Sequence, residues 1–206
     1  MQSNFTTITD GTEAREGKYS GRRDDPGNWT GGCVGHGMLV GSMRGISAPT
    51  MVRWLHGDVR AVTVATMQAV TPELYRTIAA AFYWRPLSCQ KLPAGIDAMV
   101  FDFGFNSGVQ RSARLLQAAI GLTGDDVDGD IGPQTLRVLA GLKPIAMDEF
   151  SSWASALIGK LSVCQEAEYR SFRDFRVNGK GWLARLEWRR QLALSLAQAP
   201  GAALAP

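Results

Sequence analysis

The stretch from Glu13 to Gly32 reads E-A-R-E-G-K-Y-S-G-R-R-D-D-P-G-N-W-T-G-G, and the rest of the chain is best understood from it. It contains five glycines and one proline, a density that excludes a long helix or an uninterrupted strand. We therefore predict a small glycine-rich β-hairpin, with Glu16 at its entrance and Asp25 and Thr30 on the returning strand. This geometry would bring an acid, a second carboxylate and a hydroxyl group into one cleft.

These three side chains are the kind that hydrolysis of a glycosidic bond needs. A carboxylic acid must protonate the leaving oxygen, and a second group must stabilise the developing cation or hold the attacking water. The same residues have a simpler interpretation, in which Glu16 is a surface carboxylate beside Arg15 and D-P-G is only a turn. Residue types alone leave both interpretations open.

The order of these residues resembles a known family. E-G-K-Y followed by D-P-G-N-W-T resembles the E-G-G-Y and D-P-G-G-x-T signature of glycoside hydrolase family 108, which comprises N-acetylmuramidases of lysozyme-like fold, many of them phage endolysins. The resemblance implies that Glu16 is the catalytic glutamate and that Asp25 and Thr30 are the acidic residue and threonine that follow it. Tyr19 is then a candidate for substrate binding, and Lys18 replaces the second glycine of the signature.

A later segment extends the resemblance. Val40–Ala48 is similar to the family's G-T-x-Y-G-I-S segment, with an inserted glycine-rich stretch, Gly31–Gly41, in front of it. Met43 and Arg44 stand where a lysine or asparagine and an aromatic residue are usual.

Composition limits the number of domains and the kind of partner that can be expected. The chain has 206 residues, of which 45% are hydrophobic, enough for one large domain or two small ones. The net charge of +3 would suit an anionic polymer or an envelope surface. Between Arg170 and Arg190 there are seven Lys or Arg and two acids, which fits either a solvated helix face or a patch that faces a polyanion.

The cysteines and histidines argue against a metal or a disulfide framework. The three cysteines, Cys33, Cys89 and Cys164, are widely spaced, and there are only two histidines. No zinc-binding or disulfide spacing results. We predict reduced thiols, no metal and no cofactor.

No targeting or membrane segment is recognisable. The N-terminus lacks a charged start and an apolar run, and no stretch reaches the roughly 18–20 apolar residues of a membrane span. We predict a monomer without stable membrane insertion, which binds peptidoglycan glycan strands and not nucleic acid. The resemblance to endolysins implies synthesis in the host cytoplasm without a signal peptide, holin-type release, and action on the cell wall in the periplasm.

A helix over residues 3–16 is expected mainly from the resemblance, because in that family a helix leads into the catalytic glutamate. Further helices are predicted from apolar periodicity and capping residues. These segments are Ala48 to Leu55, Pro72 to Arg85, Val109 to Ile120, Met147 to Ser162, Cys164 to Phe175 and Trp182 to Ala197. A break is predicted at N-G-K-G, residues 178–181.

Two aromatic residues end the predicted helix Pro72 to Arg85. Tyr83 and Trp84 belong to Y-W-R-P, which resembles the family's Y-W-x-P. They are candidates for stacking on sugar faces, and the alternative is that they are core residues.

The segment Asp102–Leu139 resembles the peptidoglycan-binding domain 3 family. That family's pattern is D-x-x-x-N-x-G, then L-L-Q-x-x-x-G, then D-G-x-x-G-P-x-T-L. The matching positions are Asp102, Asn106, Gly108, Leu115 to Gln117, Gly121, Asp128, Gly129, Gly132, Pro133, Thr135 and Leu136. Asp102 and Asn106 are expected to face a cleft and bind substrate.

Together these observations predict a mainly α, lysozyme-like fold, with a small lobe holding the hairpin and a larger helical lobe. Residues 1–93 would form the catalytic region, 94–198 a helical peptidoglycan-binding region packed on it, and 199–206 a flexible tail.

The predicted function is hydrolysis of the β-1,4 bond between N-acetylmuramic acid and N-acetylglucosamine. Glu16 would be the general acid, kept protonated by an apolar cleft wall. Asp25 would stabilise positive charge or, with Thr30, position the water. Two alternatives remain: a lytic transglycosylase acting on the same bond, and a non-catalytic module that binds cell walls.

Overall fold

The structure is a computed structural model and describes residues 4–144, 146–199 and 202. These residues form two compact units. One comprises residues 9–79, and the other comprises the described residues of 1–8 and 80–206. The predicted flexible tail, 199–206, lies outside the described residues except for Ala199 and Ala202.

Four short helices organise the unit of residues 9–79. They are α1 (Phe5–Glu16, whose first residues belong to the other unit), α2 (Ala48–Trp54), α3 (Val64–Gln68) and α4 (Pro72–Ala79). The predicted starts of α2 and α4 are confirmed. Ser47 caps α2 by accepting a hydrogen bond from the Thr50 N–H, as expected for a serine ahead of an early proline.

The predicted glycine-rich β-hairpin is not formed. Among the described residues, the segment makes only isolated antiparallel bridges, which join Ser20 to Ser42, Trp29 to Leu39, and Met43 to Ile46. A regular ladder is interrupted because Pro26–Asn28 form a 3-10 turn, and a proline cannot donate a ladder hydrogen bond.

In the described part of the other unit, five α-helices form the framework. They are α5 (Ile96–Ser107), α6 (Val109–Ala119), α7 (Pro133–Leu142), α8 (Met147–Ser171) and α9 (Phe175–Ala197). A π-helical turn, Ala80–Trp84, comes directly after α4 and ends the helix predicted there. Residues 96–105 of α5 are all buried, so this apolar helix forms the centre of the unit.

The predicted break at residues 178–181 is wrong, because α9 runs continuously through it. Gly179 is buried, and a Cβ atom at this position would lie 2.7 Å from the Phe175 ring one turn earlier. The missing side chain lets the ring pack against the helix, which compensates for the low helix propensity of glycine. Likewise, α8 crosses the expected junction at residue 163 without interruption.

The acidic loop before α7 is held by one buried glutamine. Gln117 is 1% exposed. Its amide nitrogen, Nε2, donates to Asp128 Oδ1 at 2.7 Å and to the Asp130 carbonyl at 3.0 Å. Its Oε1 accepts from the Gly129 N–H at 2.9 Å. The L-L-Q and D-G parts of the sequence pattern are therefore joined by one buried hydrogen-bond network. The residues of this network have a structural role.

The compact units do not divide at residue 93. Residues 80–93 belong to the same unit as the helices that follow them. The division into a catalytic region and a wall-binding region stays a prediction. No helix among the described residues is long and apolar enough to cross a membrane.

Candidate active site

Glu16 is the last residue of α1. The helix ends there because Gly17 has a φ of +73°, a left-handed conformation that glycine adopts at little cost and that commonly terminates helices. The Glu16 side chain is half-buried. The candidate acid therefore stands at the junction between α1 and the glycine-rich segment.

The residues after Glu16 are tied to a single short stretch of chain. The Tyr19 hydroxyl donates to the Val40 carbonyl at 3.0 Å. Ser20 and Ser42 exchange two backbone hydrogen bonds, both of 2.9 Å. Tyr19, predicted to bind substrate, thus has its polar atom engaged within the protein; its role in substrate binding stays a prediction.

The contact between Tyr19 and Gly41 predicts a large effect of Gly41→Ala. Gly41 has a φ of +85°, and a Cβ atom would lie 2.5 Å from the Tyr19 ring. We expect this substitution to lower the free energy of unfolding by about 2–4 kcal/mol, since backbone strain and a steric clash both oppose it. Urea unfolding followed by tryptophan fluorescence measures the loss.

Gly35→Ala is the matched control for this measurement. Gly35 has a φ of +81° but no atom within 4 Å of its Cβ position, so only the backbone strain applies. Equal losses of stability in the two variants would show that the Tyr19 contact is unimportant.

Asp25 caps a short turn and does not lie on a strand. Its Oδ1 accepts a hydrogen bond from the Gly27 N–H at 2.8 Å, at the start of the 3-10 turn Pro26–Asn28. The side chain is half-buried. The simpler interpretation of D-P-G as a turn is thus correct for the local structure. One carboxylate oxygen is used in the turn, which orients the other.

Thr30 fastens the inserted glycine-rich stretch. Its side chain is 7% exposed, and its Oγ1 accepts from the Met38 N–H at 2.9 Å. The Thr30 N–H donates to the Met38 carbonyl at 3.0 Å. These bonds between Thr30 and Met38 therefore hold the inserted stretch in place, and one of the two residues, Thr30, is a candidate catalytic residue.

Sequence reasoning did not find two further residues of this unit. Asn28 is fully buried, and its Nδ2 donates to the Arg22 carbonyl at 2.9 Å. Arg44 forms an ion pair with Glu13 in the last turn of α1. The sequence signal for Arg44 is its position in the M-R-G-I turn, where this chain departs from the pattern of the family that it resembles.

The four remaining predicted site residues lie in the other unit. Tyr83 is half-buried, and its ring centroid is 4.7 Å from that of Phe105. Trp84 is 2% exposed and packs edge-on against Phe5 and Phe101. Sugar stacking on Trp84 is therefore ruled out by its burial, and the alternative of a core residue is correct.

Asp102 does not face a cleft. Its side chain is 1% exposed, and it accepts two hydrogen bonds from Arg185, of 3.0 and 2.7 Å. Arg189, which is fully buried, donates a third at 2.9 Å. A carboxylate buried in α5 requires such partners because an unpaired buried charge is strongly destabilising. Asp102 is therefore a structural residue that joins α9 to α5.

Arg189 extends this network to α8. Its Nη1 donates to Gln165 Oε1 at 2.6 Å, and its Nη2 donates to the Tyr169 hydroxyl at 2.9 Å. Tyr169 in turn donates to Asn106 Oδ1 at 2.9 Å. Asn106 itself is exposed at the end of α5, and its role in substrate binding stays a prediction.

Among the described residues, no group of three or more His, Cys, Asp or Glu is arranged to hold a metal ion. The Cys89 thiol is buried, and burial raises its pKa well above the ordinary value, with the nearby Asp97 acting in the same direction. This thiol is therefore poorly suited to nucleophilic chemistry.

The fold is mainly α and lysozyme-like, and a carboxylate stands at the end of its first helix. Residues 9–108 match the family model described as Glycosyl hydrolase 108. The region is therefore a glycoside hydrolase that acts on peptidoglycan.

The fold is also found in a solved structure. The chain is similar to Brucella abortus SagA, with 26% sequence identity, a TM-score of 0.78, and coverage of 98% of this chain and 99% of that chain. A search of curated proteins found no match. The resemblance of residues 102–139 to peptidoglycan-binding domain 3 stays a prediction.

Proposed function

We propose that this protein is an N-acetylmuramidase that hydrolyses the β-1,4 bond between N-acetylmuramic acid and N-acetylglucosamine. The observation that carries the proposal is Glu16, half-buried at the last residue of α1 within the matched family region. A general acid must be protonated before it can transfer its proton to the leaving oxygen.

Asp25 is the second carboxylate of the proposed mechanism. The hydrogen bond from the Gly27 N–H orients its carboxylate, and the negative charge would stabilise the oxocarbenium-like transition state. The Thr30 Oγ1 accepts from the Met38 N–H, and a hydroxyl group can donate while it accepts. Thr30 can thus donate to the attacking water and help Asp25 to position it.

We further propose that the protein is a phage endolysin, made in the host cytoplasm and released by a holin to act on the wall in the periplasm. This part rests on the resemblance of E-G-K-Y and D-P-G-N-W-T to a family rich in endolysins. Peptidoglycan glycan strands are its binding partner.

Product analysis tests the proposed bond and reaction. Purified sacculi are digested with the protein, and the products are separated and identified by mass spectrometry with and without borohydride reduction. We expect reducing N-acetylmuramic acid ends. Anhydro-sugar ends, lighter by one water, would instead identify a lytic transglycosylase, and reducing N-acetylglucosamine ends would mean that the other glycosidic bond is cut. Pelleting with sacculi without any released product would identify a binding module.

A further inference from the structure

Arg44 occupies an unusual backbone conformation. Met43 and Ile46 exchange two backbone hydrogen bonds, of 3.1 and 2.9 Å, which close a two-residue turn. Arg44 and Gly45, the two central residues, have φ values of +53° and +75°. Such turns favour asparagine or glycine at both positions, and a non-glycine residue at positive φ persists where other contacts hold it in place.

The side chain of Arg44 supplies those contacts. Its Nη1 donates to Glu13 Oε1, and its Nε donates to the Val70 carbonyl at 3.0 Å. The two side chains of the ion pair are largely shielded, with exposures of 27% for Arg44 and 13% for Glu13. A shielded ion pair with an additional hydrogen bond has a better-defined geometry than an exposed one.

The ion pair fixes α1 just before its candidate acid. Glu13 lies three residues before Glu16, in the same last turn of the helix. On the other side of Glu16, the chain is joined to Val40 through Tyr19 and to Ser42 through Ser20. The segment that carries Glu16 is therefore attached at both of its ends to residues 40–44.

We propose that Arg44 is a positioning residue for Glu16, which it acts on through Glu13. The inference rests on the proposed function, because it assumes that Glu16 is the general acid. Arg44 joins the last turn of α1 to the 43–46 turn and to Val70, two residues before α4. Without these contacts the last turn of α1 can shift relative to residues 40–44, and the carboxyl group of Glu16 shifts with it.

The expected signature is a loss of turnover with little change in substrate binding. A displacement of about 1 Å at a reacting group can lower the rate about 100-fold, whereas KM depends on the many contacts that bind the glycan strand. We expect Arg44→Ala to lower kcat about 10- to 100-fold at an almost unchanged KM, measured on dye-labelled peptidoglycan. Arg44→Lys restores the charge opposite Glu13 but lacks the planar fork of donors, so we expect it to regain part of the lost kcat.

The chain offers a matched control. Arg76 also forms an ion pair with α1, through Asp10 at 2.8 Å, and both side chains are more exposed, at 31% and 47%. Arg76→Ala therefore also removes an arginine that pairs with α1, but its partner, Asp10, lies six residues before Glu16. We expect it to keep a kcat within about 2-fold of the wild type, as for an exposed ion pair.

The following outcomes decide the question. A folded Arg44→Ala protein with the kcat of Arg76→Ala would overturn the inference, as would a loss that appears only in KM. If Arg44→Ala does not fold, Arg44→Lys and Glu13→Gln replace it, and wild-type kcat in both would also overturn the inference. Glu16→Gln is measured in the same assay to separate the two proposals. If it keeps wild-type kcat, Glu16 is not the general acid and the premise of the inference fails; if it alone loses activity, only the role of Arg44 fails.

Discussion

Glu16→Gln is expected to lower the rate of peptidoglycan hydrolysis by about 10²- to 10⁴-fold, the range that a general acid contributes. Glutamine keeps the size of the side chain and can make similar hydrogen bonds, but it has no proton to give to the leaving oxygen. The half-buried position of Glu16 at the end of α1 should accept this substitution without loss of fold. Binding to cell walls is therefore expected to stay at the wild-type level.

The measurement is the loss of turbidity of Gram-negative cells stripped of their outer membrane, with pelleting on purified walls beside it. Asp24→Asn is the control because Asp24 is an exposed carboxylate of the same segment, paired with Arg22 at 2.7 Å, and has 69% of its side chain exposed. It should clear the cells as fast as the wild type does. If Glu16→Gln clears them equally fast, another residue is the acid.

Asp102→Ala is expected to lower the free energy of unfolding by about 3–5 kcal/mol, the cost of removing one partner of a buried ion pair. Asp102 accepts hydrogen bonds from both Arg185 and Arg189, and Arg189 is fully buried. Its loss leaves two guanidinium groups in a poorly hydrated environment without their counter-charge. For a chain of this length the fall in Tm is about 2–4 °C for each kcal/mol.

Thermal and urea unfolding measure the effect, and the tryptophan that stacks on Tyr169 is a local reporter. That residue, Trp182, has its ring centroid 5.6 Å from that of Tyr169, which itself binds Arg189. The matched control is Glu166→Ala, which breaks an exposed ion pair with Arg170 and should cost less than about 1 kcal/mol.

The Asp102 experiment also distinguishes a structural residue from a substrate-binding one. A structural role predicts that a folded Asp102 variant has reduced stability with unchanged affinity for walls. Wild-type stability together with weakened wall binding would contradict the burial of Asp102 and would restore the cleft-facing role.

The parts of the fold that could be predicted from sequence depend on neighbouring residues. Ser47 followed by Ala48 and Pro49 predicts the start of α2, because capping and a fixed proline φ act within one helical turn. Gly17 directly after Glu16 is consistent with the helix end, for the same local reason. The N-G-K-G segment shows the limit of such rules, since the packing of Phe175 on Gly179 outweighs local propensity.

The sequence by itself determined the mainly α, lysozyme-like class, the family of residues 9–108, and Glu16, Asp25 and Thr30 as candidate catalytic residues. These conclusions follow from residue order and local spacing. Only the tertiary structure decided that Asp102 is buried between two arginines and that Arg44 reaches Glu13. Those partners are 83, 87 and 31 residues apart in the chain, and such pairs form only when the packing of distant segments brings the charges together and removes them from water.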